Sequence, residues 1–167
     1  MVKILVLLAA YNGEKFIGKQ IESILSQTVK PLKIIINVDL SNDHTLNIIK
    51  DYQKKFKCIE ILDSNMPYGS AAANFLKMLS IVDFSNYDYV ALSDQDDIWV
   101  NNKLSQAIEM LMQGFDGYSS NVEAFWPDGK KKIILKNQDQ QKYDHFFESA
   151  GPGCTFVLSK KLATSFQ

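Results

Sequence analysis

The chain has 167 residues, of which 46% are hydrophobic and 22% charged, a balance that predicts one folded domain and excludes a disordered or fibrous chain. Its formal net charge is −1 and its basic residues are scattered apart from 130–132, so a nucleic-acid partner is not expected. All 18 basic residues are lysines, which lack the bidentate fork of arginine, so a phosphate-bearing ligand would need a metal ion to neutralise much of its charge.

Neither the cysteines nor the N-terminal segment indicates export. Cys58 and Cys154 lie far apart and match no CxxC or disulfide spacing, which favours reduced thiols that bind no metal. The opening apolar run, Ile4 to Ala10, is too short to span a bilayer and lacks a signal-peptide cleavage pattern. We therefore expect a cytoplasmic protein with no transmembrane segment in this chain, associated with the inner face of the membrane only through a partner or through sequence outside this chain.

The first unit in chain order is a strand followed by a helix. The continuous aliphatic run 4–8 predicts a strand that is buried on both faces. The apolar residues from Ile17 to Leu25 recur at helical spacing, with Asn12 as the expected N-cap and Glu14 in the expected first turn.

The same alternation continues through the first two thirds of the chain. Further strands are predicted at 33–38, 58–62 and 87–92, and further helices at 45–56, 70–81 and 104–111. Ser41 or Asp43 is the expected cap of the second helix. Alternating strands and helices predict an α/β sandwich of three layers, with a mainly parallel central sheet and right-handed crossovers.

The last third of the chain gives weaker signals. Possible strands at 118–126 and 132–135 flank the turn Pro127-Asp128-Gly129, which is typical of a hairpin. A stretch at 143–149 precedes Gly151-Pro152-Gly153 and a final strand at 154–158. The sequence stops inside the pattern of another helix, so we expect a C-terminally truncated domain.

Four polar features follow predicted strands: Ala10-Tyr11-Asn12, Asp39, the Tyr68-Gly69 loop with Asn74, and Asp94-Gln95-Asp96-Asp97. In an open α/β sheet, ligands bind outside the carboxyl ends of the parallel strands. One crevice can therefore hold all four.

The acidic run after the fourth strand is the strongest single feature. Asp94 and Asp96 are spaced to chelate a hard divalent cation, and Mg²⁺ is characteristically held by one or two carboxylates plus substrate phosphate oxygens. The alternative is a helix cap, which explains Asp97 in part. Metal or ligand binding is favoured, because crowded carboxylates repel one another unless a cation compensates them.

Other polar residues are open to two interpretations or favour a structural one. Asp39 can accept hydrogen bonds from a nucleobase or cap a turn, and Tyr11 can stack on a base or pack on the sheet. His44 and His145 have no second histidine at ligand spacing, so they are interpreted as structural. No GxGxxG, P-loop, HExxH or GxSxG pattern occurs, which weighs against dehydrogenases, P-loop enzymes, zincins and α/β hydrolases.

Together these motifs resemble family 2 glycosyltransferases of the GT-A fold. The resemblance rests on four segments: 7–14 (LLAAYNGE), 20–27 (QIESILSQ), Asp39 with 41–45, and 93–99 (SDQDDIW). A fifth segment, 149–155 (SAGPGCT), is similar to the branch described as rhamnosyltransferases. The match extends over nearly the whole chain.

The resemblance implies a donor site for a nucleoside diphosphate sugar, linked to UDP or dTDP. Ala10, Tyr11 and Asp39 would hold the base, and Asn74 and Gln95 would lie in the same pocket. Asp94 would lie near the ribose, and Asp96, with Asp94, would bind Mg²⁺ or Mn²⁺. Residues 1–113 would be the nucleotide-sugar-binding half of a single GT-A domain, and 114–167 the incomplete start of its acceptor-side half.

The resemblance also implies an inverting transfer to a saccharide or lipid-linked acceptor in cell-surface polysaccharide synthesis. The catalytic base would lie beyond residue 167, with Glu148 a weak acceptor-side candidate. Three departures from the family pattern stand near the donor site: Leu40 for a glycine, Asn37 before Asp39, and Ala73 for a basic residue.

Two competing hypotheses remain. A non-catalytic or truncated nucleotide-binding module would keep the donor site without transfer. A nucleotidyltransferase is disfavoured, because the glycine-rich basic loop expected after its first strand is replaced by Tyr11-Asn12-Gly13-Glu14.

Overall fold

The computed structural model describes residues 2–62, 67–136, 141–143 and 151–167. Within these residues the strands are β1 Ile4–Ala10, β2 Lys33–Val38, β3 Ile59–Leu62, β4 Tyr89–Asp94, β5 Gly117–Tyr118, β6 Val122–Phe125, β7 Lys131–Ile134 and β8 Val157–Ser159. The α-helices are α1 Ile17–Leu25, α2 Thr45–Lys55, α3 Ala71–Ile81, α4 Lys103–Leu111 and α5 Lys160–Thr164. Among the described helices, none is both long and apolar enough to cross a bilayer.

The main sheet has the strand order β3-β2-β1-β4-β8-β5. The first four of these strands are mutually parallel, and β8 runs antiparallel to both of its neighbours. Leu7, at the centre of β1, is in register with Ile35 of β2 and Leu92 of β4. The prediction of a mainly parallel sheet is confirmed, and the carboxyl ends of its parallel strands lie along one edge.

Side chains of β1 alternate between two cores, one on each face of the sheet. Ile4, Val6 and Leu8 pack against α1, α2 and α4, whereas Leu5 and Leu7 pack against α3 and α5. All five side chains are fully buried. Because burying each such side chain stabilises the fold by about 1.5–3 kcal/mol, β1 anchors the sandwich, and the three-layer prediction is confirmed.

The start of α1 differs from its prediction. The helix begins at Ile17, so Asn12 is not its N-cap and Glu14 is not in its first turn. Asn12 instead has a φ of +46°, in the left-handed region that asparagine tolerates better than most residues. Its Oδ1 accepts a hydrogen bond from the backbone N–H of Asn42 at 2.9 Å, and the Glu14 carboxylate accepts from the N–H of His44 at 3.0 Å.

The loop 11–16 is thus tied to the loop 39–44, and the bonding is reciprocal. The backbone N–H groups of residues 12, 13 and 14 donate to the side chains of Ser41 (3.0 Å), Thr45 (2.7 Å) and Asp43 (3.0 Å). Asp43 also accepts from the N–H of Thr45, the first residue of α2, but the N-cap position is His44, so the prediction of Ser41 or Asp43 as the cap is wrong. These bonds fix the two loops that follow β1 and β2 against each other.

The C-terminal third follows its prediction only in part. The predicted strand 118–126 is divided between β5, in the main sheet, and β6, which forms the predicted hairpin with β7. The predicted strand 154–158 begins instead with a 3₁₀ turn, Gly153–Thr155, and β8 follows it. Most of the predicted stretch 143–149 lies outside the described residues.

Candidate nucleotide-sugar and metal site

A cavity of about 500 Å³ opens at the carboxyl ends of β1, β2 and β4. It is bounded on the remaining side by the loop before α3 and by the first turns of that helix. The residues that sequence reasoning assigned to the donor and metal site all line it: Ala10, Tyr11, Asp39, Asn74, Asp94, Gln95 and Asp96. The sheet therefore brings together side chains that are up to 86 positions apart in sequence.

Gln95 connects the acidic run to the loop after β1. Its Oε1 accepts from the backbone N–H of Tyr11 at 2.5 Å, and its Nε2 donates to the carbonyl oxygen of Tyr11 at 2.6 Å. The Tyr11 ring itself is 54% exposed beside the cavity, as a base-stacking ring would need to be. Gln95 thus fixes the backbone from which Tyr11 projects.

Asp39 is almost fully buried, and its carboxylate holds the loop before α3. It accepts from the backbone N–H groups of Leu40 (2.7 Å), Tyr68 (3.0 Å) and Gly69 (3.2 Å). Of the two interpretations of Asp39, capping of a turn is therefore observed. The same residue also lines the cavity. Leu40, which replaces the family's glycine, is 67% exposed and lines the same cavity.

Asn74 and Asn37 form a buried pair beneath the cavity. Asn37 Nδ2 donates to Asn74 Oδ1 at 2.7 Å, and Asn74 Nδ2 donates to the carbonyl oxygen of Asn37 at 3.2 Å. Asn37, one of the departures from the family pattern, is thus the partner of a predicted site residue. The pair joins α3 to β2, and Asn74 lines the cavity.

The acidic run turns from the first cavity towards a buried thiol. Asp94 ends β4 and is half-buried, Asp96 is exposed, and Asp97 hydrogen-bonds the Cys154 thiol. Asp97 does not cap α4, which begins at Lys103, so that interpretation is wrong. Burial, reinforced by the negative charges of Asp97 and Asp96, raises the pKa of Asp94 to about 6.

Asp97, Cys154 and Lys103 lie close together, and each has a shifted pKa. Burial raises the pKa of Asp97 above its usual range, and it raises that of the Cys154 thiol as well. Burial also lowers the pKa of Lys103 to about 8, against the opposing effects of Cys154 and Asp97. Lys103 Nζ donates to the carbonyl oxygen of Thr155 at 3.2 Å and lies 4.5 Å from the centre of the Trp99 ring.

Lys103 and Cys154 were not predicted as site residues. One signal was available for Lys103: a cation in the first turn of a helix opposes the helix dipole, so its position calls for a compensating anion. Cys154 follows the glycine-containing turn that sequence reasoning had singled out, but its spacing from the acidic run gave no indication of contact. Glu148, the weak acceptor-side candidate, and His145 lie outside the described residues.

Two buried glutamines, Gln20 in α1 and Gln27 two residues after that helix, hold the segment that contains the acidic run. With its amide oxygen turned towards Trp99, Gln20 accepts from Trp99 Nε1 (3.2 Å) and Ser93 Oγ (2.6 Å), and its nitrogen donates to the carbonyl oxygen of Asp97. Gln27 Oε1 accepts from the N–H of Leu104 at 3.0 Å, in the first turn of α4. The 20–27 motif therefore positions both ends of the segment that carries the acidic run.

The donor atoms around Asp94 fit a hard divalent cation. One oxygen of Asp94 and one of Asp97 lie within 4.8 Å of each other and of the Cys154 sulfur, and the two oxygens, unlike the soft thiol, suit such a cation. Asp96 is close enough to raise the pKa of both neighbouring carboxylates. Carboxylate oxygens are the ligands that Mg²⁺ and Mn²⁺ prefer, and a bound cation would relieve the repulsion that raises the pKa of Asp94.

The fold has counterparts among solved structures. It superposes on S. aureus TarS 1–349 with a TM-score of 0.72 at 17% identity, covering 98% of this chain and 49% of that one. For the same protein in complex with UDP-GlcNAc the TM-score is 0.67 at 17% identity, with 98% and 47% covered. For the mannosyltransferase PcManGT from Pyrobaculum calidifontis, in complex with GDP-Man and Mn²⁺, the TM-score is 0.68 at 15% identity, with 96% and 45% covered. These likenesses establish the GT-A fold.

Sequence comparison shows the family as well as the fold. The dTDP-rhamnosyl transferase RfbG of Shigella flexneri is 44% identical over 162 residues, which cover 96% of this chain and 56% of that protein. This chain therefore spans little more than half the length of that relative. The profile described as "Glycosyl transferase family 2" matches residues 5–161. Nearly the whole chain is included in that match, and the chain belongs to glycosyl transferase family 2.

Proposed function

We propose that the chain is the donor-binding part of a glycosyltransferase that moves a sugar from a dTDP- or UDP-linked donor to a saccharide or lipid-linked acceptor. The observation that carries the proposal is the cavity at the carboxyl ends of the strands, with Asp39 in its lining and the acidic run along it. Two relatives support the donor class: RfbG is named a dTDP-rhamnosyl transferase, and TarS is described with UDP-GlcNAc. We place the reaction in cell-surface polysaccharide synthesis.

In this proposal the nucleobase of the donor lies between Tyr11 and Asp39. The exposed Tyr11 ring offers a stacking face, and Asp39 is the carboxylate that accepts from the N–H edge of the base. The Asn37–Asn74 pair supports the floor of the pocket. Gln95 contributes by holding the backbone of Tyr11 in position.

The diphosphate lies at the acidic run. Asp94 is next to the ribose, and Asp96, with Asp94, holds Mg²⁺ or Mn²⁺. When bound, the cation supplies the positive charge that stabilises the departing nucleoside diphosphate. The lysine-only composition of the chain makes this contribution important, because the chain has no arginine to grip the phosphates.

Transfer itself needs a carboxylate base on the acceptor side, opposite the leaving group, for inversion at the anomeric carbon. We place that base outside the described residues, at Glu148 or in sequence that follows residue 167. A donor-binding module without transfer activity is the alternative, and it is favoured by one fact: the chain covers 56% of RfbG. Donor hydrolysis or transfer by a longer chain, with no turnover by this one, would assign the chain to that alternative.

The test is calorimetric titration of the chain with UDP and dTDP, with and without Mn²⁺. We expect at least one nucleotide to bind in the presence of Mn²⁺, and Asp96→Asn to weaken that binding by about tenfold or more, as loss of one charge-assisted contact would. Asp51→Asn, on the exposed surface of α2, is the matched control and should bind as the parent does.

Two results would count against the proposal in different ways. If neither nucleotide binds even with Mn²⁺, the donor site is refuted. If a nucleotide binds equally well without Mn²⁺ and to Asp96→Asn, the donor site stands and the metal assignment is wrong.

A further inference from the structure

A second cavity, of about 540 Å³, adjoins the acidic run at Asp97. The β6–β7 hairpin contributes Phe125 and Trp126 to its lining. Trp99 and Lys103 also line it, and Asp97 follows directly after Asp96, which lines the first cavity. None of the donor-site roles proposed above uses this space.

We propose that this second cavity binds one neutral pyranose ring of the acceptor, packed against the aromatic side chains of the hairpin. The inference rests on the proposed function, because it assigns the acceptor for the same acidic run. It adds a binding site, the chemical class of its ligand and the residues that recognise it.

The hairpin wall is apolar where it faces solvent. Phe125 is 56% exposed and Trp126 47% exposed, and the two residues are adjacent at the end of β6. Large exposed aromatic groups that line a concave surface mark a binding site more often than a structural one. Saccharides suit such a wall, because the C–H face of a pyranose ring packs on an aromatic ring while its hydroxyl groups point to polar neighbours.

The charges of the cavity favour a neutral ring. Lys131 Nζ is paired with Glu123 at 2.7 Å, and Lys103 Nζ already donates to the carbonyl oxygen of Thr155. The buried Lys103 ammonium lies close enough to the Asp97 carboxylate for each charge to shift the pKa of the other, so the two lysines and two carboxylates that line the cavity balance in charge. A uronate or a phosphorylated sugar would therefore find no uncompensated cation in this lining, whereas a neutral ring needs none.

The position of the cavity also suits an acceptor. Asp94 and Asp96 line the first cavity and Asp97 lines the second, so the run 94–97 separates the two spaces. Gly153, at the start of the turn that carries Cys154, lies beside Asp94, since an added Cβ would be in ordinary van der Waals contact, 3.5 Å from Asp94 Oδ2. A displacement with inversion needs donor and acceptor on opposite sides of the reacting carbon, and two separate cavities that share one acidic run offer a place for each.

Tryptophan fluorescence is a direct reporter for the test, because both tryptophans of the chain line this cavity. The chain is titrated with methyl β-D-glucopyranoside and methyl β-D-galactopyranoside. It is also titrated with the methyl glycosides of the corresponding uronic acids, in which C6 is a carboxylate. We expect saturable binding of at least one neutral glycoside and clearly weaker binding of its uronide. Trp126→Ala should weaken that binding by about tenfold, the loss of one aromatic stacking contact, while Trp126→Phe should retain most of it.

Phe115→Ala is the matched control, because Phe115 is equally exposed but lines neither cavity. It should leave glycoside binding unchanged. The inference is overturned if no neutral glycoside binds, if the uronides bind as well as the neutral sugars, or if Trp126→Ala binds like the parent. It is also overturned if the chain dimerises and Trp126→Ala makes it monomeric, because the wall would then be an interface between copies.

Nucleotide titration of Trp126→Ala separates this inference from the proposed function. Unchanged nucleotide binding with lost glycoside binding supports both. Nucleotide binding by the parent with no glycoside binding overturns the inference and leaves the donor site intact. Glycoside binding without any nucleotide binding overturns the donor site and removes the acceptor role.

Discussion

Replacing Asp94 with asparagine should stabilise the metal-free chain at neutral pH, although the same change should weaken nucleotide binding. Burial and the nearby charges of Asp97 and Asp96 raise the pKa of Asp94 from 3.8 to about 6. A difference of that size corresponds to about 3 kcal/mol for a carboxylate that is sealed from water. Asp94 is only half-buried, so solvent screening reduces the expected gain in unfolding free energy to about 1–2 kcal/mol.

The stability gained by Asp94→Asn should depend on pH. A carboxyl whose pKa is raised in the folded state binds its proton more tightly there than in the unfolded chain. The destabilisation is therefore absent below the ordinary pKa of 3.8, grows between about pH 4 and pH 6, and is complete above that range. The gain from Asp94→Asn should follow the same course, since asparagine carries no charge at any of these pH values.

Urea denaturation in the presence of EDTA, at about pH 4 and about pH 7.5, measures the effect. Asp116→Asn is the control of opposite sign, because the Lys161 ammonium and the Ser159 hydroxyl hold the pKa of Asp116 below its usual range. That variant should not gain stability at neutral pH. An Asp94→Asn chain that is no more stable than the parent at about pH 7.5, or whose gain is the same at both pH values, would refute the reasoning.

Two further substitutions test the walls of the proposed donor cavity. Gly13→Ala should destabilise the chain by about 1–3 kcal/mol and weaken nucleotide binding, because its Cβ would lie 2.5 Å from Gln95 Oε1 and Gln95 cannot move away without losing its two hydrogen bonds to the Tyr11 backbone. Gly18→Ala, where the nearest atom is 3.4 Å away, should be tolerated. Equal urea midpoints for the two alanine variants would contradict this. Asn74→Ala should cost about 1–3 kcal/mol, because it removes the buried partner of the Asn37 amide, and a midpoint shift within experimental error would show that the pair contributes little.

Most of the fold follows from local patterns in the sequence. The aliphatic runs at 4–8 and 33–38 are stable only when both faces of a strand are covered, so they indicate a parallel sheet between helices. Once the sheet is parallel, its carboxyl ends converge, which is why residues as distant as Tyr11 and Asp94 could be assigned to one cavity.

The remaining features depend on contacts that local sequence does not encode. Gln95 is held by the Tyr11 backbone, 84 residues earlier in the chain, and Asn12 is held by Asn42 rather than by the helix that follows it. The buried Lys103 interacts with the charge of Asp97 and donates to Thr155, in a turn near the end of the chain. Pattern reasoning therefore identifies residues that line one cavity, but it does not distinguish those that face the cavity from those that hold a neighbour in place.

The bonds between the loops 11–16 and 39–44 also limit how the donor pocket can be redesigned. Each loop satisfies backbone groups of the other, so a length change or substitution in one leaves donors or acceptors of the other unpaired. An attempt to change base selectivity by grafting the loop around Asp39 alone would import side chains without their partners at 12–14. If the two loops hold the nucleobase as proposed, an exchange of base specificity between family members requires that both loops be replaced together.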